Sequence, residues 1–207
     1  MIRSASEMRA AARTSLSYKW GAAALMTLVY GLVMSGVPVG LNEALTDGVG
    51  NLLQLVLLPM AYGLIVAYLD NIRSGESYRV SQLFVGFKEY WRVWGTFMLM
   101  YLYTSLWMLL LIVPGIIKSY SYAMTYYILR DEPDLKFNGA IEKSMRMMDG
   151  HKFDLFYLQL TFIGWGLLCI LTLGIGIFWL APYMQAAEAH FYEDVKAEYE
   201  AAQAQGE

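Results

Sequence analysis

Apolar and polar positions along this chain fall into long blocks, with no single-residue alternation. Apolar runs near 20 residues are separated by shorter polar or basic stretches. A helix rises 1.5 Å per residue, so about 20 residues cross the roughly 30 Å hydrocarbon core of a bilayer. Six runs approach that length: Trp20 to Leu41, Leu52 to Leu69, Gly95 to Val113, Ile116 to Leu129, Leu155 to Leu173 and Ile175 to Phe191. A helix in a soluble core would interrupt such runs with polar positions every turn or so. The fourth run, with 14 residues, is the shortest. It must tilt, extend at its end, or stop short of a full crossing.

Proline and glycine sort the runs into pairs, because proline lacks an N–H and glycine tolerates turns. Val113-Pro114-Gly115 separates the third from the fourth, and Leu173-Gly174-Ile175-Gly176 the fifth from the sixth. The first pair is joined through Pro38, Gly40 and a polar loop carrying Asn42, Glu43, Asp47, Gly48 and Gly50. Three helical hairpins result.

Before each hairpin lies an amphipathic stretch. Ser6 to Ser17 carries Met8, Ala12 and Leu16 at helical spacing, with Arg9 and Arg13 on another face. Ser81 to Trp94 carries Leu83, Phe84, Phe87, Trp91 and Trp94 opposite Lys88, Glu89 and Arg92. Phe137 to Met148 carries Ile141, Met145 and Met148 among Glu142, Lys143 and Arg146. Segments of this kind lie among lipid headgroups, apolar face down. A unit therefore recurs three times: surface helix, basic residue beside an aromatic, span, break, span, acidic exit. Its entries are Lys19-Trp20, Arg92-Val93-Trp94 and Lys152-Phe153, and its exits Asp70, Asp131 and Glu193-Asp194. The units cover 1–70, 71–131 and 132–194, followed by an acidic tail over 195–207 that reads as a fraying helix. The fold class is all-α: a polytopic membrane bundle of about six transmembrane helices in three like-oriented hairpins, each preceded by a cytoplasmic-surface helix.

Charge orients the bundle. Of 15 Lys and Arg, 14 fall on the side that holds both termini, and Lys118 alone falls near the other. By the positive-inside rule the basic side is cytoplasmic, which demands an even number of spans. Composition agrees, with 57% hydrophobic and 16% charged residues against about 25% charged in a soluble domain. The first run starts only at Trp20, is long for a signal sequence and lacks a small-residue exit, so it reads as a retained anchor. Cys169, the one cysteine, lies in an apolar run and reads as a small buried hydrophobe.

The stretch Ser144-Met145-Arg146-Met147-Met148-Asp149-Gly150-His151-Lys152, with Phe162-Ile163-Gly164-Trp165, Leu173-Gly174-Ile175-Gly176, Pro182-Tyr183 and Ala189-His190-Phe191-Tyr192, resembles the bacterial DUF975 family. Pro114-Gly115-Ile116-Ile117-Lys118 to Tyr126-Tyr127 fits it too. The resemblance covers most of the chain and is strongest after about residue 110. It implies a small multi-span protein of the bacterial plasma membrane, and it brings no catalytic residues.

Ionisable groups inside a span are functional candidates because burying charge in lipid is costly. Gln185 and Glu188, three apart on the last span, share a face with Pro182 and form an intramembrane polar stripe. The structural reading of Glu188 is a pairing with Lys152 or Arg146. Gln54, Gln159 and Gln185 are expected to hydrogen-bond between helices. Lys19, Lys88, Arg92, Arg146 and Lys152 are the candidate headgroup contacts. Asp149-Gly150-His151-Lys152 suggests a metal or acid–base site, but with two His in the chain it reads better as a helix end and a basic anchor. Ser119 and Ser121 lack a base to activate them, and Gly174-x-Gly176 follows no strand. The pattern calls for no catalytic residues, cofactor, metal or nucleic acid. Its partners are membrane lipids and either further copies or another membrane protein. The leading function is non-enzymatic membrane organisation, sensing or scaffolding, ahead of a small transporter or channel and of a lipid-acting enzyme.

Overall fold

The computed structural model describes residues 2–46 and 48–206; Met1, Asp47 of the first loop and Glu207 of the tail lie outside them. Among the described residues all regular structure is helical. Helix α1 (Ala5–Leu16) starts on a reciprocal cap, in which the Ser4 hydroxyl accepts from the Glu7 N–H and the Glu7 carboxylate accepts from the Ser4 N–H. Next come α2 (Trp20–Gly31) and α3 (Val37–Ala44), continuous through a π-helical turn over Leu32–Gly36. That turn lies just ahead of Pro38, which cannot donate to the preceding turn. Helix α4 (Val49–Leu57) meets α5 (Pro59–Ser74) at Leu58, with proline at the first position of α5.

A 3₁₀ helix (Val80–Glu89) then runs into α6 (Tyr90–Leu110). The second amphipathic stretch is thus split, its Trp91 and Trp94 belonging to α6. The 3₁₀ helix lies backbone-to-backbone on α5 through two glycines. A Cβ on Gly63 would stand 2.3 Å from the Leu83 carbonyl oxygen, and one on Gly86 2.2 Å from that of Pro59.

The break after the third run is not at Pro114-Gly115. Leu111 is extended (φ −157°, ψ 133°), and α7 (Ile112–Ser121) begins directly after it with Pro114 inside its first turn. The N–H groups of a first turn have no intrahelical partner, so proline forfeits nothing there. The fourth run is itself broken at Tyr122–Met124, leaving α7 and α8 (Thr125–Asp131). Helix α9 (Asn138–Met147) repairs that break: the buried Ser144 hydroxyl accepts from the Met124 N–H (3.2 Å) and donates to the Ser121 carbonyl (2.8 Å). The fifth run divides at Thr161–Phe162 into α10 (Lys152–Leu160) and α11 (Ile163–Leu171). Helix α12 (Ile177–Gly206) continues unbroken through the acidic tail expected to fray, and Val195 is fully buried.

Among the described residues four helical segments are long and apolar enough to cross a membrane: Trp20–Ala44, Val49–Ser74, Val80–Leu110 and Lys152–Leu171. The broken fourth run and α12, whose apolar part soon gives way to charge, are not among them.

The core sits where the ends of α5, α8 and α12 meet beneath α1. Tyr68, Leu69, Ile128, Leu129, Phe191 and Tyr192 are buried there with Met8 and Leu16 of α1. This corrects the reading of the first and third surface helices, while Phe84 and Trp91 of the second stretch stay exposed. Met8, Ala12 and Leu16 face α12, and Ile141 and Met148 are equally buried, so these apolar faces are covered by protein. Apolar side chains stand open instead at the far turns: Leu109 to Val113 are 65–86% exposed, and Ile170, Leu171, Leu173 and Ile175 are exposed too.

Candidate functional site

The last helix carries Gln185 and Glu188, the two residues of the expected polar stripe. Glu188, part-buried on α12, accepts a hydrogen bond from the Gln159 side-chain amide of α10 at 2.8 Å. The Gln159 carbonyl oxygen accepts in turn from the Tyr120 hydroxyl of α7 at 2.8 Å. A polar chain therefore links three helices. Glu188 does not meet Lys152 or Arg146: Lys152 pairs with Asp149 at 3.3 Å, and Arg146 is exposed on α9. Of the three glutamines expected to bridge helices, Gln159 does so. Gln54 is exposed, and the buried Gln185 carbonyl oxygen has no hydrogen-bond partner among the described residues. The buried Tyr126 and Tyr127 hydroxyls are likewise unpartnered, and Tyr127 lies within electrostatic reach of Glu188.

Two of the predicted headgroup contacts are committed to backbone. Arg92 donates to the carbonyls of Leu129 and Leu135 at 3.1 Å and of Glu132 at 3.4 Å, and pairs with Glu89. It closes the C-terminal end of α8, whose last carbonyls have no helical partner. Lys19 donates to the Gly75 carbonyl at 2.6 Å, just past the end of α5. Lys88 is exposed. Lys118, assigned to the opposite side, reaches the Met145 sulfur of α9 at 3.8 Å and sits 5.3 Å from the Trp107 ring. It therefore stands beside the helix that carries Lys143 and Arg146.

The acidic exits converge, which sequence spacing did not reveal. Asp131 accepts from Arg73 (2.6 Å), Lys196 (2.6 Å) and the Tyr192 hydroxyl (2.7 Å). Arg73 also holds Glu193 at 2.7 Å, Arg130 pairs with Asp70 at 3.1 Å, and Arg3 pairs with Asp194 at 2.7 Å. Tyr127 and Tyr192 stack beneath this cluster at 4.8 Å. Burial alone would raise the Asp131 carboxyl, but the hydrogen bonds from Arg73, Lys196 and Tyr192 hold it well below the usual carboxylate range. The Arg3 guanidinium is raised by its hydrogen bond to Asp194. The signal available beforehand was the repeated acidic exit, with Arg73 and Lys196 each a turn or less beyond one.

Gly150 (φ +87°) turns the chain between α9 and α10, and His151 lies 3.4 Å from Asp154 and 3.7 Å from Glu198. No group of three or more His, Cys, Asp and Glu among the described residues is placed to hold a metal ion.

No curated protein and no solved structure matches this chain. A family profile described as "Protein of unknown function (DUF975)" matches residues 1–119 and 108–199. Apolar helices of spanning length and that match fit a membrane protein of unassigned role. The chain belongs to the DUF975 family.

Proposed function

We propose that the chain crosses a bacterial plasma membrane six times, as three like-oriented hairpins with both termini cytoplasmic. On this reading it works without catalysis, organising or sensing the bilayer or scaffolding a partner. One observation carries the reading: Arg3, Lys19, Arg73, Arg92, Arg130 and Lys196 all tie helix ends together, while apolar side chains stand open at the opposite turns. A braced basic end and a greasy far end suit a structural role.

Topology is tested in a Cys169→Ser background with single cysteines probed by a membrane-impermeant maleimide. Cysteines at Asn42 and Thr172 should label in intact cells, and those at Ser17 and Asp149 only in inverted vesicles; any other pattern removes the six-span reading. Organising activity should appear as a protein-dependent change in lipid order in reconstituted vesicles. Unchanged order, with no partner trapped by cross-linking in native membranes, would remove it.

The chain Tyr120–Gln159–Glu188 supports a second reading, a small transporter or channel. It requires flux in liposomes that Glu188→Gln abolishes, and it fails if a panel of cations, anions and neutral solutes stays put. No specific observation favours a lipid-acting enzyme.

A further inference from the structure

Helix α1 spends its apolar face on α12, which leaves Arg9 and Arg13, about one turn apart, on its outer side. Neither has a carboxylate within ion-pair distance among the described residues, nor has Arg146 of α9, whereas Arg3, Arg73, Arg79, Arg92 and Arg130 all do. The Arg9 Nε is buried with no hydrogen-bond partner among the described residues. Arg13 lines the mouth of a groove of about 600 Å³ between α2, α11 and α12. That volume is within the range of small-molecule sites.

Below Arg13 the groove is apolar and aromatic. Trp20 meets Tyr183 edge-on at 6.1 Å, and Phe162 backs Tyr183 at 5.0 Å. Trp165, Leu168 and Trp179 form the walls, each about half exposed. Cys169 and Gly176 close the far end; a Cβ on Gly176 would stand 2.9 Å from the Cys169 sulfur. From Tyr183 to Ile177 the α12 wall is about 9 Å long at helical rise. The shape is that of an amphiphile: one guanidinium at the mouth and an apolar slot behind it.

We infer that this groove holds an acyl chain of an anionic phospholipid whose phosphate rests on Arg13. The inference builds on the membrane reading above. Guanidinium binds phosphate with two parallel N–H donors, and Arg9 supplies a second positive charge a turn away. Apart from Thr172, whose hydroxyl donates to the Cys169 carbonyl, the slot behind Arg13 is apolar or aromatic, and its Trp rings offer faces to the chain's methylenes.

The test uses the full chain in phosphatidylcholine vesicles doped, at equal low fraction, with acyl-brominated phosphatidylglycerol or acyl-brominated phosphatidylcholine. Bromine on the chain quenches tryptophan on contact. Brominated phosphatidylglycerol should quench with about fivefold higher apparent affinity, the enrichment one basic residue gives at an anionic surface. Arg13→Gln should abolish the preference while the protein still floats with the vesicles, and Arg13→Lys should keep part of it. Equal quenching by the two lipids, or a preference that survives Arg13→Gln, overturns the inference. Loss of the preference to added inorganic phosphate would assign the cation to a free anion and overturn it too. Near-complete cross-linking of two copies through Cys169 by a bismaleimide would give the groove to a second copy. A chain that does not float overturns the membrane reading and the groove with it; one that floats without lipid preference overturns the groove alone.

Discussion

Asp131 accepts four hydrogen bonds from three side chains on two other helices, and its side chain is 9% exposed. Removing its charge leaves Arg73 and Lys196 facing a neutral group in a largely dry place. Breaking a buried pair costs about 3–5 kcal/mol, less where the cations reach solvent as these do. Asp131→Asn is therefore expected to destabilise the protein by about 2 kcal/mol, read from thermal unfolding in detergent micelles. The pH dependence has a definite sign. The folded-state carboxyl is depressed, so its contribution is complete above the ordinary carboxylate pKa and is lost as pH falls through the lowered value. The gap between wild type and Asp131→Asn should stay flat from about pH 5 to 8 and close only in strong acid. A gap that closes near neutrality would put the stabilisation elsewhere.

Helix α9 looked like a raft on the membrane surface and is instead a splint. Its Ser144 satisfies both backbone groups opened by the α7–α8 break. Ser144→Ala strands a buried N–H and C=O, at about 1–3 kcal/mol. Hydrogen exchange at Met124 should rise while α12 stays protected; unchanged exchange would mean water or a shift of α9 replaces the hydroxyl. The six apolar runs and their punctuation were legible because block length and Pro or Gly position are local properties. The exact breaks were not. Pro114 marks a helix start as readily as an end, since the first turn needs no N–H, and the turn at Tyr122–Met124 contains neither Pro nor Gly. The apolar face of α1 was legible too, but whether lipid or protein covers it depends on α12, some 170 residues away. Glu188 of the expected stripe takes part in a polar chain, whereas the Gln185 carbonyl oxygen has no partner among the described residues. The partners of Glu188, Gln159 and beyond it Tyr120, were out of reach because no spacing rule ties α7 and α10 to α12.

Burial is concentrated at the braced end, where α1, α5, α8 and α12 share one core. The last helix enters this core through Tyr192, and the tail through Val195, both almost fully buried. Truncation after Ala189 should therefore abolish folding, seen as aggregation in mild detergent, whereas truncation after Ala201 should leave the unfolding midpoint within a few degrees. Tolerance of the longer deletion would show that the core closes without the C-terminal half of α12. The Asp131 clasp also sets an order on synthesis. Arg73 leaves the ribosome 58 residues before Asp131, and Lys196 follows Asp131 by a further 65. The nascent chain carries an incomplete clasp until its final helix emerges, so the first two thirds wait half-assembled, and the chain's last few dozen residues act as the latch.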